Sequence, residues 1–196
     1  MKRLLVATRN RGKMKEIRAV LDGLVDELLC ADDIAGLPET VEDGDTFSAN
    51  ALKKAREASS FSGLPVLADD SGLVVDPLDG APGVYSARYA GEGAGDRANN
   101  AKLLSEIKSI PENNRKAAFV CVMAFVAPDG AEQTFTGRIP GSITDEPRGD
   151  NGFGYDPLFL VEELGRTMAE LSIEEKNRIS HRGQAQIGRA SCRERV

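Results

Sequence analysis

A chain of 196 residues with 41% apolar and 29% charged side chains suits one domain, or one domain of two lobes, with a substantial core. Its formal net charge of −6 argues against a general nucleic-acid binder, which needs a basic face, but leaves room for a small anion held by local cations. Leu4–Ala7 is too short for a signal-peptide core, no apolar run is long enough for a membrane span, and Cys30, Cys121 and Cys192 suggest neither a disulfide framework nor a zinc site, so a reducing cytoplasm is expected.

Residues 3–7 read as a short strand ending at Thr8-Arg9-Asn10-Arg11-Gly12-Lys13, after which Ile17, Val20, Leu21 and Leu24 recur at helical spacing. A strand, a polar turn with Gly and Lys, then a helix is a layout that binds phosphate through loop amides, a helix N-terminus and a lysine. An ordinary strand–helix turn looks the same, and the spacing is not that of a Walker A loop. Val25–Ala31 is a second short strand, followed by an irregular acidic segment, Asp32–Asp45, in which Glu42, Asp43 and Asp45 surround Gly44. Thr46 is an N-cap for a helix running to about Phe61 with Phe47, Ala51, Leu52 and Ala55 on its apolar face. Asn50, Lys53, Lys54 and Arg56 are its polar positions, and Gly63-Leu64-Pro65 ends it.

The stretch Leu67-Ala68-Asp69-Asp70-Ser71-Gly72-Leu73 follows, two adjacent carboxylates between apolar runs. Burying them requires a cation beside them, and a hard divalent ion such as Mg²⁺ prefers oxygen ligands. A solvated turn between two strands accounts for the same residues, because Asp, Ser and Gly are turn formers. Both readings stand at this point.

Asp76–Gly83 is dense in turn residues, and Val84–Tyr89 leads into a Gly-rich loop, with Arg88 beside Tyr85 and Tyr89 either an anion clamp or a plain surface cation. Asp96 is an expected N-cap for a helix from Arg97 to about Lys108 with Ala98, Ala101, Leu104 and Ile107 on its face. Ala117–Ala127 and Gln133–Ile139 read as a hairpin across Pro128-Asp129-Gly130, so the sheet is not all parallel. In Gly152-Phe153-Gly154-Tyr155-Asp156-Pro157, interleaved glycines and aromatics suit either close approach of a flat ligand or a tight turn with buried rings. Ser172 with Glu175 forms a capping box for a helix over Ile173–Ile179, and Lys176, His181 and Arg182 form a cationic end to the chain.

Six stretches in this order, Thr8–Lys13, Gly44–Phe47, Ala68–Leu73, Gly80–Tyr89, Gly152–Pro157 and Ser180–Gly183, closely resemble the inosine triphosphate pyrophosphatase family, whose bacterial members cleave dITP, ITP and XTP. The resemblance covers residues 1 to about 185. It implies a mixed α/β fold with a long central sheet and flanking helices, two lobes with the active-site cleft between them, and a homodimer. It also implies hydrolysis of noncanonical purine nucleoside triphosphates to the monophosphate and pyrophosphate, with Mg²⁺, which clears the nucleotide pool. Thr8, Arg9, Asn10, Arg11, Gly12 and Lys13 match the triphosphate loop, Glu42 and Asp70 the metal ligands, and Asp70 the general base. Ser71, Phe153, Gly154, Tyr155, Asp156, Lys176, His181 and Arg182 match positions that contact the nucleotide. Two departures stand out: Ala49 replaces a glutamate common in the family, and the last helix is replaced. Residues 186–196, with Arg189, Arg193, Glu194 and Arg195 and no apolar period, resemble the translation of a sequencing-adapter oligonucleotide, so a single domain over 1–185 with a foreign tail is expected. Two other readings remain, a Maf-type nucleotide pyrophosphatase and a nucleotide-binding regulator without turnover. The FGYD and SHR stretches argue against the first, the clustered acids against the second.

Overall fold

The computed structural model describes residues 2–179, so the assignments of His181 and Arg182 and the expectation for the tail 186–196 lie outside the described residues. The strands are β1 (Arg3–Val6), β2 (Glu27–Cys30), β3 (Val66–Val75), β4 (Lys116–Val126), β5 (Glu132–Ile143), β6 (Phe159–Val161) and β7 (Arg166–Thr167). The helices are α1 (Arg11–Leu21), α2 (Phe47–Ser62), α3 (Gly95–Ile107) and α4 (Ile173–Ile179). The strands form one sheet in the order β2-β1-β3-β4-β5-β6-β7. β1 is parallel to β2 and to β3, with Leu5 opposite Leu29 on one side and Val66 on the other. β6 is antiparallel to β5 and to β7. The fold is thus the expected mixed α/β sheet with flanking helices, the helical crossovers serving its parallel part.

The described residues divide into two compact units, 2–70 with 121–137 and 71–120 with 138–179. In the first, the two-residue period of β1 and β3 builds two separate cores. Leu4, Val6 and Leu67 pack with Ile17 and Leu21 of α1, whereas Leu5, Val66 and Ala68 pack with Ala51, Ala55 and Ala58 of α2. The small residues on α2 allow close approach to the strands. α1 stops at Leu21, where Asp22 leaves helical geometry, so Leu24 lies beyond the helix and is 37% exposed. The side chain of Val20 lies outside the described ones.

In the second unit, Leu73 and Val75 of β3, Leu103 and Ile107 of α3 and Phe119 and Phe159 share one core. α3 starts at Gly95 with Ala94 in the cap position, so Asp96 sits in its first turn and is not the N-cap. Its buried stripe is Asn99, Leu103 and Ile107 at spacings of four, with the expected Leu104 packed half-buried at its edge and Ala101 exposed. The predicted capping box forms at α4: Ser172 Oγ accepts from the Glu175 amide at 3.2 Å, and Glu175 Oε2 accepts from the Ser172 amide at 2.8 Å.

Candidate active site

β3 decides between the two readings of Asp69-Asp70. The strand runs unbroken through both acids, which are 2% and 4% exposed, so the solvated turn is excluded. Neighbouring strand residues point to opposite faces, so the two carboxylates do not act as a pair but meet different helices. Asp69 shares the parity of Leu67 and meets Lys13 in the first turn of α1, Nζ to Oδ2 3.0 Å. Asp70 shares the parity of Val66 and Ala68 and meets the side chains of α2.

The loop before α1 is built by its own polar residues. Asn10 caps the helix, its Oδ1 accepting from the Lys13 amide at 3.0 Å, and Thr8 Oγ1 accepts from the Asn10 amide at 3.2 Å. The amides of Arg11 and Gly12, in the first turn, have no intrahelical acceptor to use. A helix start with free amides and a lysine in its first turn suits an anion. Arg9 turns elsewhere: its guanidinium donates to the Leu37 carbonyl at 2.7 Å and lies 3.4 Å from Asp32.

On the α2 face, the fully buried Asn50 donates from Nδ2 to Asp70 Oδ2 at 3.0 Å and accepts on Oδ1 from the Gly44 amide at 2.8 Å. One amide thereby ties the acidic segment to β3. One helical turn on, Lys54 Nζ lies 2.8 Å from Glu42 Oε1 and 3.7 Å from Asp70 Oδ1. Burial pushes the Asp70 carboxyl up and Glu42 adds to this, outweighing Lys54, Lys13 and the Asn50 hydrogen bond. Burial also works against the Lys54 ammonium, but Asp70, Asp69 and Glu42 outweigh it and raise its pKa.

Whether these residues suit a divalent cation follows from their chemistry. Glu42 and Asp70 each bring an oxygen within 4 Å of a single ammonium, so their carboxylates converge on one cationic position. Among the described residues no group of three or more metal-liganding side chains forms. Two carboxylates suffice for Mg²⁺, which completes its shell with waters and substrate phosphates. The donor set fits.

Gly44 is where this arrangement is tightest. A Cβ there would stand 2.7 Å from Asn50 Oδ1 and 2.9 Å from Ala49 Cβ. Gly44→Ala is expected to cost about 1–3 kcal/mol and to lower turnover more than it lowers the melting temperature, because the displaced partner is the amide that holds Asp70. Parallel melting and activity assays check this.

A second group belongs to the other unit. Asp156 Oδ2 accepts from the Phe153 amide at 2.9 Å and lies 2.5 Å from Lys176 Nζ, whose ammonium stands 4.9 Å from the centre of the Phe153 ring. Both charged side chains are almost fully buried. Gly152 has φ +80°, and a Cβ there would collide with the Asp156 carboxylate, so glycine is required. Tyr155 is buried and donates its hydroxyl to the Ser86 carbonyl at 2.9 Å, and burial pushes that hydroxyl far above its usual range. The loop is therefore held by Tyr155 and Asp156 and offers Phe153. Arg88 stacks on Tyr85 at 5.2 Å and pairs with Glu92 at 3.5 Å.

Four residues given no site role on the sequence alone belong to these groups. Asn50 and Lys54 lie one step from the apolar stripe of α2, at i and i+4, the position where a helix turns polar atoms into its buried edge. On α3, Asp96 Oδ2 accepts from the Gly154 amide at 2.7 Å and Asn100 Nδ2 donates to its carbonyl at 3.0 Å. Nothing in the local sequence pattern marks that grip, which joins residues more than fifty positions apart.

The chain matches the family model described as the Ham1 family over residues 4–187. It is 62% identical over 185 residues to the dITP/XTP pyrophosphatase of Geobacter sulfurreducens, covering 94% of this chain and 93% of that one. The dITP/XTP pyrophosphatase of Desulforamulus reducens is 51% identical over 183 residues, covering 93% and 91%. Among solved structures, a HAM1 protein from Coxiella burnetii superposes with a TM-score of 0.89 at 40% identity over 100% of both chains. The match spans the fold and both groups of residues described above, and the chain belongs to the Ham1 family, whose motifs it carries.

Proposed function

We infer that the chain hydrolyses dITP, ITP and XTP to the nucleoside monophosphate and pyrophosphate; its relatives are named dITP/XTP pyrophosphatases. The observation that carries this reading is the convergence of Glu42 and Asp70 on one cationic point in the unit that also holds the anion-binding start of α1. A regulator that only bound nucleotide would gain little from a buried carboxylate whose proton affinity is raised.

In this reading the amides of Arg11 and Gly12 and the Lys13 ammonium hold the phosphate chain. Glu42 and Asp70 would hold a divalent cation, which we take to be Mg²⁺, and such an ion supplies charge neutralisation to the departing pyrophosphate. Asp70 takes the proton of the attacking water, since burial makes its carboxylate a stronger base than one in solution. The water oxygen bonds to the α-phosphorus as the bond to the bridging oxygen breaks. Phe153 offers a face for the base, with Lys176 and Asp156 fixing the loop that carries it, and Ser71 follows directly on Asp70. Discrimination of a 6-keto purine needs donors aimed at O6, since a site built for one edge leaves groups unpaired against another. His181, Arg182 and the loop amides near Tyr155 fill that role in this reading. We further propose a homodimer and a cytoplasmic setting, where nucleoside triphosphates are made. Among the described residues no helix is long and apolar enough to cross a membrane.

Pyrophosphate release from ITP, dITP, XTP, ATP, GTP and dTTP with Mg²⁺ tests the assignment. Release from the first three, and little from the rest, is expected. Preference for dTTP would favour a Maf-type enzyme, and binding of ITP with no release from any substrate would favour a regulator.

A further inference from the structure

Lys54 has a place between Glu42 and Asp70 that the sequence motifs do not assign. α2 is sixteen residues long, and Ala51 and Ala55 on either side of Lys54 are fully buried, so its backbone position is rigid. The side chain is 11% exposed, and its ammonium lies between Glu42 Oε1 at 2.8 Å and Asp70 Oδ1 at 3.7 Å. The neighbouring Lys53 behaves differently, pairing at 2.7 Å with Asp43, whose side chain is 65% exposed.

A divalent ion taking both carboxylates as ligands must approach each oxygen to about 2.0–2.1 Å. Both carboxylates already lie within 4 Å of the Lys54 ammonium, and two like charges held between them in a partly buried site repel strongly. We propose that Lys54 is the resting counter-cation of Glu42 and Asp70 and that a divalent ion enters only by displacing its ammonium, so that Lys54 sets the affinity of the site. This rests on the reading of Glu42 and Asp70 as cation ligands. In the metal-free protein the ammonium offsets the burial of Asp70, which is otherwise costly. The four-carbon stem lets the head group withdraw while the helix stays in place.

The test is Mn²⁺ binding without nucleotide, by calorimetry, on wild type, Lys54→Met, Lys54→Arg and Lys53→Met, together with melting of each protein in chelator and in Mn²⁺. Lys54→Met is expected to bind Mn²⁺ on the order of tenfold more tightly, to melt lower than wild type in chelator, and to gain more in melting temperature from Mn²⁺. Lys54→Arg keeps the competing charge and is expected to bind no tighter than wild type. Lys53→Met, which removes a cation from the exposed pair, is expected to leave the affinity unchanged. A folded Lys54→Met with wild-type or weaker Mn²⁺ affinity overturns the proposal, as does absence of Mn²⁺ binding in every protein while ITP is still hydrolysed. Loss of ITP hydrolysis in the wild type itself counts against the functional reading instead. Should Lys54→Met fail to fold, nitrogen NMR of the lysine ammonium groups in wild type decides. The Lys54 signal, identified by its loss in Lys54→Arg, is expected to shift on saturation with Mg²⁺, and a signal that stays in place overturns the proposal.

Discussion

Asp70→Asn is expected to lower pyrophosphate release from ITP by about 10²–10⁴-fold while raising the melting temperature of the metal-free protein at neutral pH. The two effects have one origin. Burial and the nearby Glu42 hold the Asp70 carboxyl above its ordinary pKa, so its ionised form is what the fold disfavours and what the reaction uses. An asparagine keeps an acceptor for the Asn50 amide, and Lys54 keeps Glu42, so removing the charge leaves these two hydrogen bonds intact. The pH dependence fixes the sign. The folded protein holds the Asp70 proton to higher pH than the unfolded chain does, so this group's contribution to stability declines as pH rises. The decline begins at the unfolded carboxylate's ordinary value and is complete above the raised folded one. Melting curves in chelator across that window should show the decline in wild type and its reduction in Asp70→Asn. ITP affinity should persist in the variant, since Lys13 and the α1 amides are untouched. Full turnover by Asp70→Asn would remove Asp70 from the role of base.

The elements whose signal is local were legible in the sequence. The β4–β5 hairpin follows from Pro128-Asp129-Gly130 between an apolar run and an alternating one, and the capping box of α4 from Ser172 and Glu175 at the right spacing. Thr46 likewise caps α2, its hydroxyl accepting from the Ala49 amide at 3.1 Å. The acids of the site were legible as residues but not in their geometry. Asp69-Asp70 reads as a pair, whereas a strand sends them to opposite faces, and turn-forming side chains disguise the strand. A short apolar run on each side, Val66–Ala68 and Leu73–Val75, is the clue that it continues. Lys54 could not be matched to Glu42, because the segment from Ala31 to Thr46 has no period and its register against α2 is set by tertiary contacts, above all the Asn50 amide. The same holds for α3, where Asp96 has the composition of a cap but meets Gly154, a contact that only the folded chain creates.

Asp156→Asn is expected to be the most destabilising conservative change in the second unit, at about 3–5 kcal/mol. The reason is asymmetry. Lys176 Nζ lies 2.5 Å from Asp156 Oδ2 with both side chains at most 5% exposed, so the ammonium that remains in the variant loses the Asp156 charge where water cannot replace it. At about 2–4 °C per kcal/mol for a chain of this size, melting should fall by roughly 10 °C or more. The replacement also weakens the acceptor that holds the Phe153 amide, so the ring offered to the base becomes less well placed and the KM for ITP should rise beyond any change in kcat. Lys176→Met reverses the asymmetry, with the carboxylate still accepting from the Phe153 amide, and should cost less. The double variant Asp156→Asn with Lys176→Met removes both charges and is expected to recover much of the stability lost by Asp156→Asn alone. It should not recover the KM, because the cation over the Phe153 ring is then gone as well. Stability regained without binding regained would separate the two tasks of this ion pair, holding a buried loop together and aiming the half-buried Phe153 ring. Equal losses in the single and double variants would mean the pair contributes packing rather than charge.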